Sequence, residues 1–146
     1  MTTTIKDTNV PSSKVLMGKK ILIVEDDHFI SKVYSKWLTL SGAQVEIAND
    51  GALGLRALSH TKVDIILLDL GMPGLSGYDT LLELKKNPVT KDIPVIVLSN
   101  TTMKENKAGF EDIRSAGVKD ILRKYETSLS EIVDCIVTYF PVEKKE

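Results

Sequence analysis

The stretch that decides the fold is Ile21-Leu22-Ile23-Val24-Glu25-Asp26-Asp27-His28. Four aliphatic residues run straight into three carboxylates. A short apolar run without alternation is the pattern of a strand covered on both faces, as in a parallel sheet. Phe29, Ile30, Val33, Tyr34, Trp37 and Leu38 then recur at helical spacing, and Gly42 ends that helix. Asp27 stands just before the periodic segment, where an aspartate caps the first turn. Strand, acidic end and helix together read as the start of an alternating α/β chain.

The same unit repeats along the chain. Gln44–Ala48 reads as a second strand, and Asn49-Asp50-Gly51 as a turn into a short helix through Leu53, Ala57 and Leu58. Ile65–Leu68 is a third strand, ending at Asp69. The turn-rich loop Gly71-Met72-Pro73-Gly74-Leu75-Ser76-Gly77 follows, then a helix from Tyr78 to about Lys86. Pro94–Leu98 is a fourth strand, ending at Ser99. A helix from about Lys104 to Ala116 is closed by Gly117. Asp120–Leu122 is a short fifth strand, ending near Lys124. Ser128 and Glu131 have the spacing of a capping box for a last helix, which Pro141 stops. The expected fold is therefore α/β, five parallel strands alternating with five helices in a doubly wound, flavodoxin-like sheet. In such sheets the ligand site lies beyond the carboxyl ends of the strands, where the strand order switches.

Composition narrows the class. A chain of 146 residues, 42% hydrophobic and 27% charged, suits one globular domain. A net charge of −1 argues against a general nucleic-acid or membrane-surface binder. No apolar run approaches the roughly 18 residues a membrane span needs. The lone Cys135 has no internal partner, which fits a reducing, cytoplasmic setting; its apolar neighbours make it a buried thiol without chemistry. The Thr/Ser-rich segment 1–17 lacks the pattern of a secretion signal and reads as a flexible tail. Residues 141–146 read as a short charged tail, too short for an attached effector. His28 and His60 are isolated and expected at the surface.

The strand ends carry the chemistry. Glu25, Asp26, Asp27 and Asp69 are acids at two of them, Ser99 and Lys124 stand at two others. Clustered acids are costly unless a cation lies among them, and hard oxygen ligands suit Mg²⁺ or Mn²⁺. A carboxylate can act as a covalent nucleophile toward a phosphoryl group. Phosphoryl transfer needs chiefly positioning and charge neutralisation, which a cation, a lysine and a hydroxyl supply. Each residue taken singly has a plainer role. Glu25 and Asp26 can be a solvated strand end, Asp69 a cap, Ser99 a strand terminus and Lys124 a surface lysine. The plain readings fail jointly, because they must coincide at four strand ends.

Val24-Glu25-Asp26-Asp27, Leu67 to Gly77, Ile93 to Ser99 and Gly117 to Lys124, in this order, resemble the receiver domain of two-component response regulators. The resemblance covers about residues 18–140. It implies that Asp69 accepts a phosphoryl group from a histidine kinase or phosphotransfer protein and that the change alters binding of a downstream protein. It implies a metal held directly by Asp26, through water by Glu25, and by Asp69 and the backbone carbonyl of Gly71. Ser99 would bind the phosphoryl oxygen, and Lys124 would pair with Asp69 and then with the phosphoryl group. Such a domain is a signalling module, not an enzyme beyond slow self-dephosphorylation. Three positions depart from the family pattern. Tyr125 replaces the proline usual after the lysine, so a trans Lys124–Tyr125 bond is expected. Ile121 replaces a usual aromatic, and Asn100 a usual small residue. They leave room for a receiver that binds partners without phosphorylation. A haloacid-dehalogenase-type phosphatase fits less well, since its nucleophile belongs to the first strand. A flavin module is disfavoured by three acids where a phosphate would sit.

Overall fold

The computed structural model describes residues 14–71, 77–100 and 107–141. The elements run β1 (Lys20–Val24), α1 (His28–Leu40), β2 (Gln44–Ala48), α2 (Gly51–Leu58), β3 (Ile65–Asp69), α3 (Gly77–Lys86), β4 (Val95–Ser99), α4 (Lys107–Ser115), β5 (Asp120–Arg123) and α5 (Leu129–Val137). The five strands form one sheet in the order β2-β1-β3-β4-β5, and every pairing is parallel. The chain leaves β1 toward one edge, then returns to β1's other side to build the rest. The carboxyl ends of β1 and β3 meet at this reversal.

The aliphatic strands divide their side chains between two cores with a period of two. Ile21, Ile23, Ile65, Leu67, Ile96 and Leu98 face Tyr34 and Leu38 of α1 and Ile132, Val133 and Ile136 of α5. Leu22, Val24, Ile66, Leu68, Val95 and Val97 face Ala57 and Leu58 of α2, Leu81 and Leu84 of α3 and Ile113 of α4. Both faces of β1, β3 and β4 are thus covered, which is why these strands lack alternation.

Local signals set the helix starts. Asp27 Oδ1 accepts the Ile30 N–H at 3.0 Å, and Asp50 Oδ1 accepts that of Leu53 at 2.7 Å. Ser128 and Glu131 form the reciprocal capping box expected of them. The last helix, however, ends at Val137 rather than at Pro141. Thr138, Tyr139 and Phe140 donate to carbonyls three residues back, a tightening that precedes a proline.

Other expectations need correction. Phe29 and Leu53 are 76% and 45% exposed. Each lies on the first turn of its helix, so a place in the apolar periodicity does not by itself bury it. Trp37 is half-buried against the α1–α5 core. The folded chain also reaches back before Gly18. Lys14–Met17 form a turn, Leu16 is fully buried, and its N–H donates to the Ser41 carbonyl at 2.9 Å. A β-carbon at Gly42, whose φ is +104°, would lie 2.9 Å from the Met17 nitrogen. Residues 1–13 of the expected tail, 72–76 of the turn-rich loop, 101–106 with the expected start of α4, and 142–146 lie outside the described residues.

Candidate functional site

The ends of β1, β3, β4 and β5 converge as the parallel order requires. Glu25, Asp69, Ser99 and Lys124 are all buried there, and Asp26 is half-buried at the rim. The Lys124 ammonium lies 3.0 Å from both Glu25 carboxylate oxygens and 3.1 Å from Asp69 Oδ2. Its side chain is only 5% exposed. Asp69 Oδ1 accepts the Gly71 N–H at 3.0 Å, and Glu25 Oε2 accepts that of Asp27 at 3.1 Å. The strand frame fixes the lysine, since its backbone N–H donates to the Ser99 carbonyl at 2.9 Å.

Electrostatics set the protonation states. Burial pushes the Glu25 carboxyl up to about 7, against the lowering pull of Lys124 and of the Asp27 N–H. Burial alone would lower the Lys124 ammonium; its hydrogen bonds to Glu25 and Asp69 outweigh this and hold it above the ordinary lysine value. The buried Tyr34 phenol of α1 lies under the same field. Burial first, then the Glu25 charge, push it up to about 12.

Two observations bear on a metal. Glu25, Asp26 and Asp69 each offer an oxygen within 4.8 Å of the others. Glu25 Oε1 is buried and makes no directed hydrogen bond, although the Lys124 ammonium is at ion-pair distance. A buried acceptor left in that condition is costly unless something else approaches it. The donor set is all hard oxygen, so the residues present fit Mg²⁺ or Mn²⁺. A cavity of about 740 Å³ lies elsewhere, between the carboxyl ends of α2 and α3, and includes none of these residues.

Asp27 separates from its two neighbours. It is exposed and caps α1, as expected of it. The Lys124–Tyr125 bond is trans, also as expected, and Tyr125 and Asn100 are exposed while Ile121 is half-buried. Two supporting residues escaped sequence reasoning. Asn49 donates to the Glu25 carbonyl at 2.8 Å and so holds the acidic end of β1; its sequence signal was only that of a turn. Gly77 lies so close to the end of β3 that a β-carbon there would collide with the backbone of Asp69 and Leu70. A glycine in a turn-rich loop does not reveal which of its properties is needed.

Comparison with known proteins agrees with the geometry. The model of the response regulator receiver domain matches residues 21–136. The chain belongs to the response regulator receiver domain family of two-component systems. It is 37% identical to the transcriptional regulatory protein PrrA of Mycobacterium leprae, over 81% of this chain and 46% of that one. The Francisella response regulator 1452 receiver domain superposes with a TM-score of 0.74 at 28% identity, covering 84% of this chain and 96% of that one. The Mn²⁺-bound form of response regulator Rcp1 gives a TM-score of 0.68 at 28% identity, over 82% and 88% of the two chains. The chain spans less than half the length of the curated relatives it matches, 46% for PrrA. No helix among the described residues is long and apolar enough to cross a membrane.

Proposed function

We propose that Asp69 accepts a phosphoryl group from a phosphohistidine on a histidine kinase or phosphotransfer protein, and that the phosphorylated form binds a downstream protein differently. The observation that carries this reading is the position of Asp69. It is a buried carboxylate at the end of β3, 3.1 Å from a buried ammonium and within reach of two further acids.

The transfer uses the chain's own groups. A carboxylate oxygen of Asp69 attacks phosphorus, an acyl phosphate bond forms, and the phosphorus–nitrogen bond to the donor imidazole breaks. The donor histidine leaves with the electron pair of that bond and takes up a proton from solvent. Lys124, already beside Asp69, neutralises charge on the phosphoryl oxygens. The buried Ser99 hydroxyl stands at the neighbouring strand end, where it can donate to one of them. Asp26, Glu25, Asp69 and the Gly71 carbonyl would hold Mg²⁺ or Mn²⁺, which when bound offsets the repulsion between acids and phosphoryl group. The Mn²⁺-bound Rcp1 structure supports that assignment by likeness. The protein would be a signalling module with at most slow self-dephosphorylation, acting in the cytoplasm through protein partners.

Incubation with Mg²⁺ and acetyl phosphate followed by intact-mass measurement tests this. One phosphoryl adduct is expected, absent from Asp69→Asn. No adduct on the native chain, or an adduct that survives Asp69→Asn, overturns the reading.

A further inference from the structure

We propose that Tyr125 is a positioning residue for Lys124, its ring holding the ammonium at the acidic pocket. The inference rests on the function proposed above and adds a residue to it. The Lys124 ammonium lies 5.7 Å from the centre of the Tyr125 ring, within the roughly 6 Å over which a cation is drawn to an aromatic face. The two side chains differ sharply in their surroundings. Lys124 is buried between Glu25 and Asp69, whereas Tyr125 is 71% exposed. Core packing therefore does not account for the ring's position. The backbone does: Glu126 and Thr127 both donate to the Arg123 carbonyl, at 3.2 and 3.0 Å, in a turn that sets residue 125 beside the end of β5. A charged pair flanks the turn, Arg123 with Glu126 at 3.2 Å.

The ring's attraction has a property that the carboxylates lack. Lys124 is gripped by two acids whose hold on it changes during the reaction. Asp69 becomes an acyl phosphate, and Glu25 is drawn toward any cation in the pocket. Both changes loosen the lysine's present partners at the moment it must meet the phosphoryl group. The quadrupole of an aromatic ring is unaffected by either event. Tyr125 thus keeps the ammonium near the pocket while its ionic partners are exchanged. An aliphatic side chain of similar size would fill the same space without that attraction.

The test compares the native chain with Tyr125→Phe and Tyr125→Leu. Two quantities are read: the rate of phosphorylation by acetyl phosphate at saturating Mg²⁺, and the NMR shifts of the Lys124 Cε protons, which feel the ring current directly. Tyr125→Leu is expected to slow phosphorylation about two- to fivefold, the size of an exposed cation–aromatic contact. Its Lys124 protons should move toward ordinary lysine values. Tyr125→Phe should retain both the native rate and the native shifts. Equal rates in the native and Leu proteins, equal slowing in Phe and Leu, or unmoved Lys124 shifts in Leu would each overturn the proposal. A native chain that takes no phosphoryl group would instead sink the function proposed above, and the Lys124 shifts would still decide whether the ring holds the lysine.

Discussion

The two ends of the sheet handle polar groups in opposite ways. At the amino end three polar groups, of which only Thr90 is buried, each have one partner. The Tyr139 hydroxyl donates to Asp120 Oδ2 at 2.6 Å, the Lys20 N–H to Asp64 Oδ2 at 2.8 Å, and the Thr90 hydroxyl to the Leu84 carbonyl at 2.7 Å. At the carboxyl end a single ammonium serves two buried carboxylates, with a third acid beside them and one buried oxygen lacking a directed hydrogen bond. Satisfied pairs hold an edge together. An under-satisfied cluster that persists in a well-packed fold marks the end built to receive something else.

The sharpest way to break this comparison is at the rim acid. Asp26→Asn should abolish Mg²⁺-dependent phosphorylation in the mass assay, because it removes one of the acids proposed to hold the metal. Asp27→Asn, one residue on, should leave the adduct nearly intact, since asparagine caps a helix as well as aspartate does. Equal loss in both would erase the distinction drawn between the two acids.

Stability separates the ends next. Lys124→Met strands two buried carboxylates and should cost about 3 kcal/mol in urea unfolding near neutral pH. At the amino end, Tyr139→Phe removes one hydrogen bond and should cost only about 1 kcal/mol. If the two losses are equal, the carboxyl end holds no special electrostatic load.

A third effect concerns reactivity. Cys135, half-buried and not fully so as expected, has its thiol pushed up to about 12, by burial first and then by the Asp120 carboxylate. A raised thiol pKa leaves less thiolate at a given pH, so the group reacts more slowly. Iodoacetamide labelling at pH 8 should be slower than in the urea-unfolded chain by more than about tenfold. Asp120→Asn should recover part of the rate. Labelling as fast as in the unfolded chain would show that the amino end is not the inert side.

The comparison also explains what was legible beforehand. The aliphatic runs of β1, β3 and β4 could be read because strands covered on both faces need apolar residues at every position. Asp27, Ser128 and Glu131 could be read because caps act over three residues. The exposure of Phe29 and Leu53 could not be read, because helical periodicity says which residues share a face and not how deep each one lies. Leu16 was missed because Val15-Leu16-Met17 is too short an apolar run to show a period.

By itself the sequence determined the order of strands and helices, several of their caps, and the polar residues at four strand ends. These are set by interactions within a few neighbouring residues. Which ends would meet was decided only by the tertiary structure. Lys124 is 99 residues from Glu25 and 55 from Asp69, yet it touches both. No local preference encodes such a contact. It follows from parallel crossovers and the order β2-β1-β3-β4-β5, which bring the carboxyl ends of β1, β3, β4 and β5 to one edge. The lysine's grip on Glu25 as well as Asp69, and the ring of Tyr125 beside it, exist only once that edge is assembled.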